Sequence, residues 1–204
     1  MKASENTLMP EFKSSDPYGW LSGDDAYQFP TQWQELMANS PEKRSARVLA
    51  SIDEESFARY AMYVNPIFSD PKHGLLSLAE RELIGVVISS INACVTCLII
   101  HQQKLGEYIR DHSRARRIAI NYRTVTLSAQ ERAIADFAVK ITEQPGKMEA
   151  ADLDEMRKVG LSDAKIFYVI EMAALYNFTN RIMSAYGMRP DDEFMARIHH
   201  TLQM

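Results

Sequence analysis

The chain has 204 residues, of which 46% are apolar and 25% are charged, and its formal net charge is −4 at pH 7. This is the composition of a folded globular protein, and the length fits one domain or two small similar halves on one core. The negative charge gives no general attraction to nucleic acid or to an anionic membrane. No stretch approaches the roughly 20 apolar residues that cross a bilayer, and the N-terminus lacks the apolar core of a signal peptide. We therefore expect a cytoplasmic protein with neither nucleic acid nor membrane as a partner.

The first 30 residues are rich in proline, glycine and scattered aromatic side chains. Proline and glycine disfavour regular structure, whereas the aromatic residues argue against pure disorder. We expect residues 1–30 to form an extended arm that docks on the rest of the chain or on a neighbouring subunit. A single helical domain is predicted over 31–204.

Helix signals dominate from Gln32 onward, without convincing strand alternation, so the predicted fold class is all-α. A serine followed three positions later by a glutamate is a capping box, which begins a helix. It occurs twice, in the pattern Leu-Ser-x-x-Glu-Arg at 76–81 and again at 127–132. Ser77 and Ser128 are therefore predicted helix caps, and the repeated pattern hints at the duplication of a helical unit.

Other helix limits follow from proline, glycine and cap residues. Pro41 has the position of a first helical residue, and Pro66 is expected to end the next helix. A helix is predicted over 150–159 and a longer one from 164 to about 186. The longer helix carries an apolar stripe that we expect to be buried: Ile166, Val169, Ile170, Ala173, Ala174 and Phe178.

The chain has two cysteines, Cys94 and Cys97, three positions apart. So close a pair cannot staple a fold, because its loop removes little chain entropy. In a reducing compartment the pair indicates redox or metal chemistry. On a helix, Cys94, Cys97 and His101 would share an arc of about 60°. If Asn92 caps that helix, its N-terminus favours a thiolate, and His101 can accept the proton of Cys97.

Glu82 interrupts an apolar run twelve residues before Cys94. In one straight helix the two residues would lie about 18 Å apart along the axis. Glu82 can approach His101 only if the chain breaks near 90–93 and folds back. A role for Glu82 in the site therefore requires a helix–turn–helix.

Glu82, eleven further residues, Cys94-x-x-Cys97, three more residues and then His101 form a specific pattern. It resembles the signature of the AhpD-like alkylhydroperoxidases, which belong to the carboxymuconolactone decarboxylase superfamily. The resemblance is strongest over 76–105, the redox motif region.

A looser likeness extends to the end of the chain. There the run Asn-Phe-Thr-Asn-Arg at 177–181 and the segment 187–193 resemble the peroxidase-related branch. The resemblance implies an AhpD-like helical bundle that assembles as a dimer, trimer or hexamer.

The resemblance also implies roles. Cys97 would be the thiolate that attacks a hydroperoxide, and Cys94 would resolve the resulting sulfenic acid as a disulfide. His101 would deprotonate Cys97, while Glu82 would relay protons or orient His101. The implied enzyme is a peroxidase without metal or other cofactor, re-reduced by an external dithiol of the lipoyl or thioredoxin type. Thr96 departs from the pattern, since the best-studied members have a second histidine there.

Other interpretations stay open. A redox-sensing or thiol–disulfide exchange oligomer without efficient turnover would use the same pair. A cofactor-free decarboxylase-like activity is a third possibility, although such members do not rely on a CxxC pair. Zinc would need a fourth ligand beside Cys94, Cys97 and His101, and the cysteines could instead be simple buried apolar residues.

Overall fold

The structure, a computed structural model, describes residues 16–38, 40–69 and 75–203. Within these residues the chain forms helices and no strand, which confirms the all-α prediction. The ten α-helices are α1 (Thr31–Met37), α2 (Lys43–Ile52), α3 (Glu54–Ser69), α4 (Leu78–Ile91), α5 (Val95–Ile109), α6 (His112–Asn121), α7 (Ala129–Glu143), α8 (Ala150–Lys158), α9 (Asp163–Tyr186) and α10 (Asp192–Gln203). Two 3-10 turns, Tyr122–Thr124 and Pro145–Lys147, follow α6 and α7. No helix in the described part of the chain has the length and apolar character needed to cross a membrane.

The centre of the fold is α4, which packs against α5, α6, α7 and α9. All nine residues from Arg81 to Ser89 are buried. Ile84 and Ile88 belong to a core cluster shared with α7, α8 and α9, while Val86 belongs to a second cluster shared with α5, α6 and α7. A helix covered on every side by other helices is apolar all round. The one buried carboxylate of α4 is therefore surrounded by apolar residues and requires a polar partner.

Both predicted capping boxes are present. The Ser77 hydroxyl accepts from the Glu80 N–H at 3.2 Å, and the Glu80 carboxylate accepts from the Ser77 N–H at 2.8 Å. The same two bonds join Ser128 and Glu131 at 3.2 and 2.7 Å. Each box satisfies N–H groups that would otherwise lack partners at a helix start, which fixes where α4 and α7 begin.

Two predicted limits near the N-terminus are wrong. Pro41 lies outside α2, because the Arg44 N–H donates to the Asp191 carboxylate at 3.1 Å and the helix begins at Lys43. The next helix, α3, continues through Pro66 to Ser69. A proline removes one hydrogen bond from a helix and weakens it there, but here it does not end it.

The long helix α9 matches its predicted limits, with Ser162 as N-cap and Gly187 as C-cap. Its predicted stripe is only partly buried. Ala174 and Phe178 are exposed, and the Phe178 ring packs against Tyr63 at 5.4 Å between centroids. The prediction of a single buried stripe is wrong because α9 contacts α4, α5, α7 and α8, and these helices bury more than one of its faces.

Residues 16–30 have no helix or strand and lie against the helices. The Trp20 N–H donates to the Tyr186 carbonyl at 2.8 Å. Two guanidinium groups lie near the Tyr18 ring, with Arg189 at 4.1 Å and Arg44 at 5.2 Å from its centroid. Residues 1–15 of the expected arm lie outside the described residues, and the division into an arm and a domain at residue 30 stays a prediction.

Candidate active site

A three-residue turn separates α4 from α5. Asn92 ends α4, since its N–H donates to the Ile88 carbonyl at 2.9 Å. Ala93 then adopts a left-handed conformation with φ +52°. Cys94 is extended and caps α5, as its carbonyl accepts from the Leu98 N–H at 2.8 Å. The break that a role for Glu82 requires is present, whereas the prediction that Asn92 caps α5 is wrong by two residues.

The turn is held by an amide network that the sequence did not predict. The Asn92 side chain donates to the side-chain oxygens of Asn177 and Asn180 at 3.0 and 3.1 Å. Asn180 in turn donates to the Ser89 hydroxyl at 3.2 Å. Asn177 and Asn180 lie three residues apart on one face of α9, so the Asn-Phe-Thr-Asn run ties α9 to the turn that carries Cys94.

Cys94 and Cys97 form a disulfide, with their Cα atoms 5.4 Å apart. Both residues are only 2% exposed. The Cys97 sulfur lies 3.5 Å from the Met183 sulfur, and the Thr96 hydroxyl donates to the Met188 carbonyl. At the position of the family's second histidine, this chain therefore has a hydroxyl that binds the segment after α9.

The turn brings Glu82 to His101. The Oε2 atom of Glu82 lies 2.7 Å from Nδ1 of His101, and both side chains are buried. Because a carboxylate only accepts hydrogen bonds, Nδ1 carries the proton. This leaves Nε2 as the ring nitrogen that can accept a proton. The geometric requirement set by the sequence is met, while a catalytic role for the two residues remains a proposal.

Gly85 makes room for the His101 ring. A Cβ atom at Gly85 would lie 2.9 Å from Cγ of His101 and 3.0 Å from Cζ of Tyr176. The His101 and Tyr176 rings meet edge to face, with centroids 4.7 Å apart. Sequence reasoning missed this, although a lone glycine inside an apolar helix is itself a sign of a close approach.

Two cavities adjoin the disulfide. The first, which we call the Cys97 cavity, has a volume of about 320 Å³ and is lined by Cys97 and His101 but not by Cys94. The second, the Cys94 cavity, has a volume of about 410 Å³ and is lined by Cys94 and Thr96 but not by Cys97. Met183 lines both cavities. The two cysteines therefore face different spaces.

The Cys97 cavity also contains titratable side chains from α3, from α5 and from the residue that precedes α2. Glu42, Tyr60 and Lys104 line it. Burial raises the pKa of Glu42, and the nearby charge of Lys104 offsets part of that rise. Burial, with a smaller effect of Glu42, raises the pKa of Tyr60, which keeps its phenol protonated as a donor. No sequence signal pointed to Glu42, because it precedes Glu82 by 40 residues and reaches the cavity from the N-cap position of α2.

Among the described residues, no group of three or more histidine, cysteine, aspartate or glutamate side chains is arranged to bind a metal ion. The structure thus adds no fourth ligand for the zinc interpretation of the cysteine pair.

No protein-family model matches the sequence, and comparison with curated proteins gives no match. Solved structures do match. An uncharacterized peroxidase-related protein from Silicibacter sp. TM1040 is 28% identical with a TM-score of 0.77, over 89% of this chain and 96% of that one. An alkylhydroperoxidase AhpD core, a peroxidase-related protein from Ralstonia eutropha JMP134, is 24% identical with a TM-score of 0.75, over 88% and 96%.

A third similar structure is the debrominase Bmp8 in complex with 2,3,4-tribromopyrrole. It is 15% identical, covers 92% of this chain and 99% of its own, and has a TM-score of 0.66, which is a likeness of fold alone. The likeness to the first two structures agrees with the resemblance drawn from Glu82, Cys94, Cys97 and His101. The chain therefore has the all-α fold of the AhpD-like proteins, and its likeness to the peroxidase-related structures supports a place in the AhpD-like superfamily.

Proposed function

We propose that the protein is a cytoplasmic thiol-dependent peroxidase that reduces hydroperoxides, organic ones included, through a Cys94–Cys97 dithiol–disulfide cycle. The observation that carries the proposal is the buried Glu82–His101 pair, 2.7 Å between oxygen and nitrogen, beside a disulfide at the start of a helix. By family resemblance it works as a homo-oligomer and takes its electrons from a lipoyl or thioredoxin-like dithiol.

The two cysteines draw their thiolate character from different sources. Cys94 holds the N-cap position of α5, where the free N–H groups of the first turn and the helix dipole stabilise a negative charge. Cys97 lines the same cavity as His101, whose Nε2 can take the thiol proton while Nδ1 stays bound to Glu82. A positive charge on His101 is offset by the Glu82 carboxylate, which is buried and needs a cation or donor.

Oxidation then proceeds in two steps. The Cys97 thiolate attacks a peroxide oxygen, so that an S–O bond forms and the O–O bond breaks. The departing alkoxide leaves as the alcohol, taking the proton that His101 received, and Cys97 becomes a sulfenic acid. Cys94 next attacks the Cys97 sulfur, so that an S–S bond forms, the S–O bond breaks and water leaves. The two thiols lose two electrons and the hydroperoxide gains them.

The experiment measures a single turnover. Pre-reduced protein is mixed with one equivalent of cumene hydroperoxide, and the loss of peroxide is followed with the thiol count. We expect Cys97→Ser to abolish consumption and Cys94→Ser to retain one oxidation, trapped as a Cys97 sulfenic acid by dimedone. Unchanged consumption in Cys97→Ser would overturn the assignment of the nucleophile.

Thr96 favours one alternative, a redox sensor without efficient turnover. Its hydroxyl donates to the Met188 carbonyl, so a conformational change at the disulfide can move the segment after α9. Thr96 cannot transfer protons as a second histidine would. This alternative predicts disulfide formation on the time scale of minutes and a change of assembly in size-exclusion chromatography. Steady-state peroxide consumption with dihydrolipoamide would exclude it.

A further inference from the structure

Met183 is a nucleophilic side chain that the proposed cycle does not use. It lies on α9, and its sulfur atom is 3.5 Å from the sulfur atom of Cys97 on α5. The residue is 7% exposed, but it lines both the Cys97 cavity and the Cys94 cavity. A molecule that enters the Cys97 cavity and reaches the Cys97 sulfur therefore also comes within reach of the Met183 thioether.

Two other buried methionines show how this position differs from ordinary core packing. Met156 and Met172 are 1% and 0% exposed and belong to the core cluster shared by α4, α7, α8 and α9. Neither of them lines either of the two cavities. Met183 belongs instead to a smaller cluster that contains both cysteines. Its flexible side chain fills space as methionines do, but its sulfur also adjoins whatever occupies the cavities.

The state of the cysteine pair decides which sulfur a hydroperoxide meets. In the reduced protein the Cys97 thiolate is the stronger nucleophile and reacts first. In the disulfide form that the structure shows, Cys97 has no thiolate. A thioether has no proton to lose and stays nucleophilic in both states. Hydroperoxide that arrives before the disulfide is reduced therefore meets the Met183 sulfur.

The Cys97 cavity also contains proton donors, which the oxidation of a thioether requires. The oxygen that leaves the peroxide must be protonated as the O–O bond breaks. Lys104 brings an ammonium group and Tyr60 a phenol to the wall of the cavity. Burial raises the pKa of Tyr60, which keeps its phenol protonated. These donors favour the oxidation of Met183 over that of a methionine in the apolar core.

We propose that Met183 is a second oxidation site, which an organic hydroperoxide converts to the sulfoxide when Cys94 and Cys97 already form the disulfide. The Met183 sulfur attacks the terminal peroxide oxygen, so that an S–O bond forms and the O–O bond breaks. The alkoxide takes a proton from a donor of the cavity and leaves as the alcohol, and the hydroxyl proton on the Met183 sulfur restores that donor. The thioether loses two electrons and the hydroperoxide gains them. The choice of oxidant rests on the proposed function, to which this site is an addition.

The sulfoxide has a consequence for the next turn of the cycle. Oxidation makes the flexible apolar side chain polar, within a cluster that also contains Val48, Tyr186 and Met188. The added oxygen carries a partial negative charge close to Cys97, where it disfavours the thiolate. Once the disulfide has been reduced, Cys97 therefore reacts more slowly with peroxide. An excess of hydroperoxide over reductant thus lowers the activity through Met183.

Peptide mapping of the oxidised protein tests the site. Wild-type protein in the disulfide form is treated with excess cumene hydroperoxide, and the sulfoxide at each methionine is followed over time by mass spectrometry. We expect Met183, at 7% exposure, to be oxidised at least as fast as Met62, which is 66% exposed. Met156 and Met172 should be at least tenfold slower than Met183. If Met183 is oxidised more slowly than Met62, the cavity does not promote the reaction and the proposal is wrong.

A pair of variants tests the consequence. Met183→Leu removes the thioether and keeps an apolar side chain of similar volume, and Met62→Leu makes the same change at an exposed position. Each protein is treated with cumene hydroperoxide in the disulfide form, freed of peroxide and reduced with dithiothreitol, and the oxidation of Cys97 by fresh peroxide is then timed.

We expect the treatment to slow the wild type and Met62→Leu at least tenfold. Met183→Leu should stay within twofold of its own untreated rate. An equal loss in all three proteins, or no loss in the wild type, would show that the sulfoxide at Met183 does not slow the cycle.

The mapping experiment also separates this site from the proposed function, because it uses the disulfide form and needs no turnover. Fast oxidation of Met183 in a protein whose reduced form consumes no hydroperoxide supports the site and removes the proposed function. Consumption of hydroperoxide by the reduced form, together with an intact Met183 in the disulfide form, supports the proposed function and removes the site.

Discussion

The α4–α5 and α7–α8 helix pairs begin with the same capping motif but differ in the side chains at the contact between their two helices. Both follow the pattern Leu-Ser-x-x-Glu-Arg and both open with a complete capping box. His101 and Asp152 hold corresponding positions, each 25 residues after the leucine of its pattern. Each of them also makes a 2.7 Å contact with the first helix of its pair: His101 with Glu82, and Asp152 with Lys140.

The difference lies in what surrounds that contact. At the positions of Glu82, Gly85, Cys94 and Cys97, the second pair has Ala133, Asp136, Pro145 and Met148. Its contact is a partly exposed ion pair, whereas the first is buried beneath α9. Capping and packing thus produce a similar helix pair twice, and the residues at these four positions distinguish the pair that contains the disulfide and the Glu82–His101 contact. That the two arose by duplication stays a hypothesis.

The largest effect on the oxidation rate is expected when one residue of α4 is replaced by its counterpart in α7. Glu82→Ala introduces the residue found at 133 and leaves His101 without its carboxylate. We expect the rate of Cys97 oxidation by cumene hydroperoxide to fall by about 10²-fold, the scale of one general acid–base group. The control is Asp152→Ala in the second pair, which should leave the rate unchanged. A Glu82→Ala rate within twofold of wild type would remove Glu82 from the mechanism.

A smaller effect is expected at Gly85. Gly85→Ala places a Cβ 2.9 Å from the His101 ring, and such overpacking costs roughly 1–3 kcal/mol. We expect a lower free energy of unfolding in urea together with slower oxidation, because the His101 ring must shift. Gly146→Ala is the matched control, since nothing lies within 4 Å of a Cβ there. Equal effects at the two glycines would contradict the close fit around His101.

The two capping boxes are expected to respond alike. Ser77→Ala and Ser128→Ala each remove a side-chain acceptor from a helix N-terminus, which costs about 1 kcal/mol. Urea unfolding of the two variants measures this directly. We expect oxidation rates per folded molecule to stay at the wild-type value in both. A selective loss of activity in Ser77→Ala would mean that the cap of α4 also positions the site.

The weakest effect concerns the ion pair of the second helix pair. The hydrogen bond from Lys140, with that from the Glu149 N–H, lowers the pKa of Asp152 below its usual value of 3.8. A depressed folded-state pKa stabilises the protein above the unfolded-state pKa, and this contribution is lost as the pH falls through the folded-state value. Asp152→Asn should therefore be slightly less stable than wild type at pH 6, and the gap should close as the pH falls below the usual carboxyl pKa of 3.8. A gap independent of pH in thermal unfolding would contradict this.

The sequence predicted the features that depend on neighbouring residues. Capping boxes, the all-α class and the limits of α9 are local, and spacing with helix rise gave the condition that Glu82 reaches His101 only if the chain folds back. Asn92 was assigned to the wrong helix because the left-handed turn at Ala93 leaves no mark in composition.

Features that depend on distant residues could not be predicted. Glu42 reaches the Cys97 cavity from the N-cap position of α2, and Asn180 reaches Asn92 across 88 positions. The exposure of Phe178 likewise depends on where α3 lies, since the Phe178 ring meets Tyr63 instead of the core. Each of these contacts is set by tertiary packing and not by a sequence pattern.

The contact between Trp20 and Gly187 gives the protein an optical property. Trp20 lines the Cys94 cavity, and its indole lies so close to Gly187 that a Cβ there would overlap the ring. Disulfides quench indole emission at short range, so the brightness of Trp20 should follow the state of the sulfur pair. The other tryptophan, Trp33, packs edge to face on Phe57 in a separate cluster and serves as an internal reference. We therefore expect the emission of Trp20, measured against that of Trp33, to report the oxidation of the cysteine pair without a label.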